Sequence, residues 1–178
     1  VAVESETNLV EAAVNGDIES FGRLCERYYP AMVAIGYSVL IDHQLAEDAA
    51  QESYARALVR LRTLKNSANF APWLAAICRN VAKDMVALRA RRVLYKGVSN
   101  KAENNDPDGN SQLIHQAIEQ LSDSAKELIV LRYYNNLSYE QISAVLGISK
   151  ATINGRLTRA KRKIAKYLRR GGFPENQL

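Results

Sequence analysis

In Leu137-Ser138-Tyr139-Glu140-Gln141-Ile142-Ser143-Ala144-Val145-Leu146-Gly147-Ile148-Ser149-Lys150-Ala151-Thr152-Ile153-Asn154-Gly155-Arg156-Leu157, two helices are written around one glycine. Ser138 is placed to cap the first, and Gln141, three positions on, to reach back to it, the reciprocal pairing of a capping box. Gly147 ends that helix in a tight connection, and Ser149 caps the next. Ile142, Val145, Ile148, Ile153 and Leu157 are spaced so that the pair closes on a shared core, which predicts a helix-turn-helix. On the second helix Ile153, Leu157, Ala160, Ile164 and Leu168 share one side, leaving Ala151, Asn154, Gly155, Thr158, Arg159 and Arg162 on the far arc with Arg156 and Lys163 flanking it. Small and amide residues near the N-terminus, with guanidinium groups further along, suit a helix that enters a major groove. The competing reading is a helical hairpin with a solvated basic face. Caps, glycine turn, shared core and one-sided charge coincide against it. Gly155 weakens its helix by about 1 kcal/mol relative to Ala; it fits either a close approach of backbone to DNA or a neutral loss.

Working outward, Gln112 to Leu121 and Ser122 to Tyr134 read as two more helices, and Lys96 to Ser111 is a polar, turn-rich stretch around Asn104-Asn105-Asp106-Pro107-Asp108-Gly109-Asn110. Upstream, a helix from about Asn8 to Val14 stops at Asn15-Gly16, and Asp17 caps a second helix that Pro30 should interrupt or restart. Asp42 opens a third helix with Leu45, Ala49, Tyr54, Leu58 and Leu61 on its buried side. Thr63 to Asn69 reads as a loop, and Pro72 lies just inside a fourth helix whose apolar stripe runs from Trp73 to Leu88. The expected fold is all-α: two small helical domains, 7–92 and 112–170, joined by a flexible polar linker, 93–111, with the helix-turn-helix in the C-terminal one.

The 178 residues hold 24 Lys and Arg against 19 Asp and Glu, and the signs are sorted into blocks. Residues 1–55 carry 2 bases and 10 acids, residues 56–101 carry 11 bases and one acid, residues 102–149 carry 2 bases and 7 acids, and residues 150–178 carry 9 bases and one acid. Helix-dipole complementation accounts for two or three lysines at helix ends, not for eleven bases against one acid. Two basic blocks give two surfaces able to neutralise phosphates. With 47% hydrophobic and 24% charged residues the chain can bury a core, which excludes wholesale disorder. The longest apolar stretch, Met32 to Ile41, is about half of the ~20 residues that cross a bilayer, and no export signal opens the chain; no membrane insertion and a cytoplasmic location are expected. Cys25 and Cys78 read as reduced core residues. His43 and His115 lack partners at catalytic or metal spacing and no phosphate-binding glycine loop occurs, so no catalytic residue, metal or cofactor is expected.

Two features of the N-terminal half remain. Asp48, Gln51 and Glu52 share a helix face through their 3 and 4 spacing, an acidic, polar patch that helix spacing alone leaves as either solvated surface or a partner's contact. Downstream, Arg60, Arg62, Lys65, Phe70, Trp73, Arg79, Asn80 and Lys83 interleave bases, aromatics and an amide, a mixture suited to unpaired nucleotides: phosphates take the cations, base faces the rings, a splayed base edge the amide. The competing reading puts both rings in the core; it is the favoured one for Trp73 and leaves Phe70, at the loop end, open.

The order of these parts resembles that of the extracytoplasmic-function (ECF) class of bacterial RNA polymerase sigma factors. The resemblance is carried by Glu47-Asp48 with Gln51-Glu52, Phe70-x-x-Trp73-Leu74, Arg79-Asn80 with Asp84, and Leu137 to Ile142 leading to Arg156-Leu157-x-Arg159-Ala160. It implies a two-domain sigma factor that binds core RNA polymerase and directs promoter recognition, DNA melting and transcription initiation, with polymerase performing the chemistry. On that resemblance Asp48, Gln51 and Glu52 meet the polymerase clamp. Thr63 to Phe70, Asn69 included, together with Asn80, capture a flipped base of the minus-10 element, with Arg60, Arg62 and Lys65 beside them and Arg79, Lys83, Arg89, Arg91 and Arg92 on phosphates. Ser149, Lys150, Thr152, Asn154, Gly155, Arg156, Thr158, Arg159, Arg162 and Lys163 belong to the reader of the minus-35 element. Promoter DNA and core polymerase are the implied partners, with an anti-sigma factor as a further one. The sequence departs from the family habit at Ala87, where an arginine is frequent, and at Asn154-Gly155. The rival reading is a stand-alone helix-turn-helix regulator that binds duplex DNA without polymerase.

Overall fold

Ser5, Asp17 and Asp42 begin the first three helices by one device. Their side-chain oxygens accept from the backbone N–H of Asn8, Glu19 and Leu45 at 3.3, 3.0 and 3.1 Å, satisfying donors that a helix start leaves bare. A computed structural model describes residues 5–96 and 110–173, and every described element is helical. The N-terminal unit comprises α1 (Glu6–Val14), α2 (Ile18–Leu40), α3 (His43–Arg60) and α4 (Phe70–Lys96), with short 3-10 turns at Leu61–Thr63 and Ser67–Asn69. The C-terminal unit comprises α5 (Asn110–Glu119), α6 (Asp123–Ile129), a π-helical turn (Val130–Tyr134), α7 (Tyr139–Leu146) and α8 (Lys150–Arg170). Most of the expected linker, residues 97–109, lies outside the described residues. No helix among the described residues is long and apolar enough to cross a membrane.

Pro30 does not interrupt α2, which runs unbroken from Ile18 to Leu40. The ring sits on the exposed side, while Tyr28, Ala31, Met32, Ala34 and Ile35 around it are buried; that packing outweighs the one missing backbone donor. Helix α3 lies very close to α2 because its buried face is made of Ala46, Ala49, Ala50, Ser53 and Ala57. At Gly36 a Cβ would stand 3.0 Å from the Ala46 carbonyl oxygen, so the crossing point admits no side chain. Helix α4 packs its first half through Phe70, Leu74, Cys78, Val81 and Ala82, whereas nearly everything from Lys83 to Arg91 is exposed. Cys78 is buried as expected; Cys25 is only half-buried.

The two units do not stand apart. Leu128, Leu131, Ile142, Val145, Ile153 and Leu157 belong to the same contiguous core as Leu24, Met32, Ile35 and Leu74, with α2 resting on α6 and the π turn, and α4 on α7. The rings of Tyr37 and Tyr134 stack with their centroids 4.7 Å apart, and the Asn135 side-chain amide donates to the Pro30 carbonyl at 3.1 Å. A second cluster, Ala117, Leu168 and Phe173, fastens α5 to the end of α8.

Candidate nucleic-acid and polymerase interface

The helix-turn-helix is built as its sequence requires. Ser138 Oγ accepts from the Gln141 backbone at 3.2 Å while Gln141 Oε1 accepts from the Ser138 backbone at 2.8 Å, closing the capping box. Gly147 adopts φ 66°, and a Cβ there would meet the Pro72 ring at 3.3 Å; both the turn and the contact with α4 favour glycine. Ser149 caps α8 by accepting from Thr152 N at 3.2 Å, and Ile153, Leu157 and Ala160 bury the inner stripe. That leaves Asn154, Arg159 and Arg162 exposed and Thr152, Gly155, Arg156 and Thr158 half-exposed. A Cβ on Gly155 would meet nothing within 4 Å, so nothing inside the described chain demands glycine there. Lys150 is engaged by Glu140, whose carboxyl that pairing holds below its ordinary value, and Lys163 donates to the Gln120 carbonyl.

On α3, Asp48, Gln51 and Glu52 are all exposed. They rim a groove of about 550 Å³ between α3 and α4, with Val81, Met85 and Leu88 supplying its apolar floor. The sequence reading missed Arg56: its guanidinium donates to Glu52 at 2.8 Å and to Asp84 at 3.1 Å, tying the two helices together across the groove. The Glu52–Arg56 spacing of four was the available signal.

Arg60, Arg62, Lys65 and Asn69 are exposed around the 3-10 turns, where the loop was expected, and Asn80, Lys83, Arg89 and Arg91 are exposed along α4; the Arg92 side chain lies outside the described residues. Two residues assigned to the strand-binding face stand elsewhere. Phe70 has 0% exposure and packs at 6.0 Å, ring to ring, on both Tyr28 and Trp73: it is core, because the turn before it delivers the ring inward. Trp73, expected to be core, is half-buried at the rim of that cluster. Arg79 is half-buried and its Nε donates to both carboxylate oxygens of Glu127, at 2.8 and 3.0 Å, on α6 of the other unit. Glu127 is 7% exposed, and burial pushes its carboxyl above the usual carboxylate range although Arg79 pulls the other way. As arranged, Arg79 is turned toward protein, not toward solvent.

Helical elements throughout the described residues, an acidic-rimmed groove and a helix-turn-helix with a basic outer face fit the sigma-factor resemblance of the sequence. Family models agree: Sigma-70 region 2 matches residues 24–92 and Sigma-70, region 4 matches residues 111–164. The RNA polymerase sigma-H factor of Pseudomonas aeruginosa is 28% identical over 93% of this chain and 94% of its own, and the ECF RNA polymerase sigma-E factor of Salmonella typhimurium is 28% identical over 88% and 90%. Among solved structures, CnrH in complex with the cytosolic domain of CnrY superposes with a TM-score of 0.60 over 93% of this chain and 97% of that one at 23% identity. The sigma factor RpoE in complex with the anti-sigma factor NepR from Bartonella quintana gives 0.55 over 85% and 98% at 25% identity. The chain belongs to the sigma-70 family, in its ECF class, and is a sigma factor that directs transcription initiation.

Proposed function

We propose that the chain works by binding alone, using three separated surfaces on core RNA polymerase and promoter DNA while polymerase makes the bonds. The exposed Asp48-Gln51-Glu52 face carries the reading: an acidic rim over an apolar floor is suited to an amphipathic, basic helix pair, and the resemblance assigns that pair to the polymerase clamp. Residues 24–92 then take the minus-10 element, with Asn80 as the base-reading amide and Arg60, Arg62, Lys65, Asn69, Lys83, Arg89, Arg91 and Arg92 around the strand. Arg79 joins them once it leaves Glu127. The α8 arc from Ser149 to Lys163 takes the minus-35 element, with Asn154 and Arg159 nearest the bases and Arg162 on phosphates. Binding splayed bases offsets the few kcal/mol that each flipped base costs. Residues 93–111 let the two units span both elements. The work is cytoplasmic, and by analogy with RpoE, held by NepR in its solved complex, an anti-sigma factor is a partner.

The test is association with purified bacterial core polymerase. The wild-type chain should bind in the nanomolar range, and Asp48→Ala with Glu52→Ala should weaken it about tenfold, ~1.4 kcal/mol. Binding to duplex DNA alone, with no affinity for polymerase, would favour the stand-alone regulator instead.

A further inference from the structure

Glu127 is an acid buried between the two units, and it faces a cation that the strand-binding surface needs. Arg79 Nε donates to both of its carboxylate oxygens, and a guanidinium paired with a carboxylate can exchange that partner for a phosphodiester. Arg79 is adjacent to Asn80 and four residues from Lys83, both of which stay exposed, so the closed molecule presents that surface with one of its cations withdrawn.

Around this pair the core shared by the two units gives way to polar and partly exposed contacts. Tyr134 remains 55% exposed despite stacking on Tyr37. Asn135 donates to Pro30, but its own Oδ1 is buried with no hydrogen-bond partner, a standing cost that opening to water removes. The buried Glu127 carboxylate is a second such cost: burial outweighs Arg79 in setting its proton affinity. A cleft of about 210 Å³ adjoins the pair, lined by Ser38, Lys83, Asp123 and Lys126 among others, so water already reaches the edge of the joint.

We propose that the free chain is held closed by a latch in which Glu127 occupies Arg79 as a phosphate mimic, so that the 112–170 unit must swing off α4 before the minus-10 surface is complete. The proposal rests on the promoter-strand reading of Arg79 and adds a regulation to it: whatever opens the joint, polymerase or DNA, competes with Glu127 for the same guanidinium.

Small-angle scattering on the full free chain tests closure without polymerase or promoter. The wild type should have a radius of gyration near that of a compact chain of this length, about 16 Å. Glu127→Ala and, separately, Tyr134→Ser should each enlarge it while helicity is kept. Each should also bind a fluorescein-labelled single-stranded oligonucleotide of mixed sequence several-fold more tightly. Glu19→Gln, an exposed acid in the other unit, serves as the control for lost negative charge, and Tyr134→Ser alters no charge at all. An already extended wild type, or variants that keep both size and affinity, would overturn the latch. Expansion without tighter binding would overturn it too, and would place the fault in the reading of Arg79 rather than in the closed arrangement.

Discussion

Phe70 and Asn80 lie on one helix and answer to different forces. Phe70 fills the space between Tyr28 and Trp73 with no exposed surface, so Phe70→Ala should cost about 3–5 kcal/mol of stability in denaturant unfolding. Asn80 is exposed, and Asn80→Ala should stay within about 0.5 kcal/mol of wild type while weakening capture of single-stranded promoter DNA. A stable Phe70→Ala that loses only DNA binding would reverse these assignments. The aromatic spacing on α4 was legible in the sequence, but which ring faces inward was not, because that depends on the 3-10 turn at Ser67–Asn69, too short to leave a periodic signal. The cysteines follow a similar logic. Burial pushes the Cys25 and Cys78 thiols up to about 11, so almost no thiolate exists near pH 7 and both should react slowly with iodoacetamide in the native chain. Labelling of Cys25 as fast as in the unfolded chain would contradict its packing.

The capped helix starts at Asp17, Asp42, Ser138 and Ser149 were readable in the sequence, since a cap and a 3-4 stripe are local; the cap at Ser5 was not, the first helix being expected only from about Asn8. Ser138 with Gln141, and the cap at Ser149, sit where spacing alone put them. Ser138→Ala should therefore cost about 1 kcal/mol, and Gly147→Ala about 1–2 kcal/mol for the left-handed backbone with crowding against Pro72 added, both read as shifts in the unfolding midpoint. What the stripe does not report is a change in winding. The segment after α6 was expected as one continuous helix to Tyr134. The backbone instead widens there, Asn135 N–H reaching the Val130 carbonyl at 3.1 Å and Leu137 N–H the Leu131 carbonyl at 3.0 Å. Pro30 inside α2 went unread for the converse reason: propensity argued for a break, and tertiary burial of its neighbours overruled it. For α8, Arg162→Ala should flatten the salt dependence of promoter binding by roughly one phosphate equivalent, whereas Arg159→Ala should relax sequence preference at the minus-35 element, both with helicity unchanged; an unaltered salt slope and an unaltered preference would remove both from the interface.

At the scale of the whole chain, charge sorting was visible in the sequence and the packing of the two units was not. Blocks of like sign survive any fold that keeps them on the surface. The joint between α4 and α6 depends on pairs such as Arg79 with Glu127, far apart in sequence and each unremarkable alone. The two-domain architecture was legible from the polar, turn-rich stretch Lys96 to Ser111. That the units share one continuous core in the closed state follows from side-chain complementarity, which no local pattern encodes. The proposed function concentrates at this scale as well: in it the acidic groove, the basic flank of α4 and the α8 arc act together on one complex. The most direct measurement is transcription in vitro from a pool of genomic fragments by core polymerase, with and without this chain, with the 5′ ends of the transcripts sequenced. The account predicts discrete start sites that appear only with the chain, share two upstream elements, and vanish with Asp48→Ala plus Glu52→Ala. Initiation unchanged by the chain, alongside tight duplex binding by the protein alone, would contradict it.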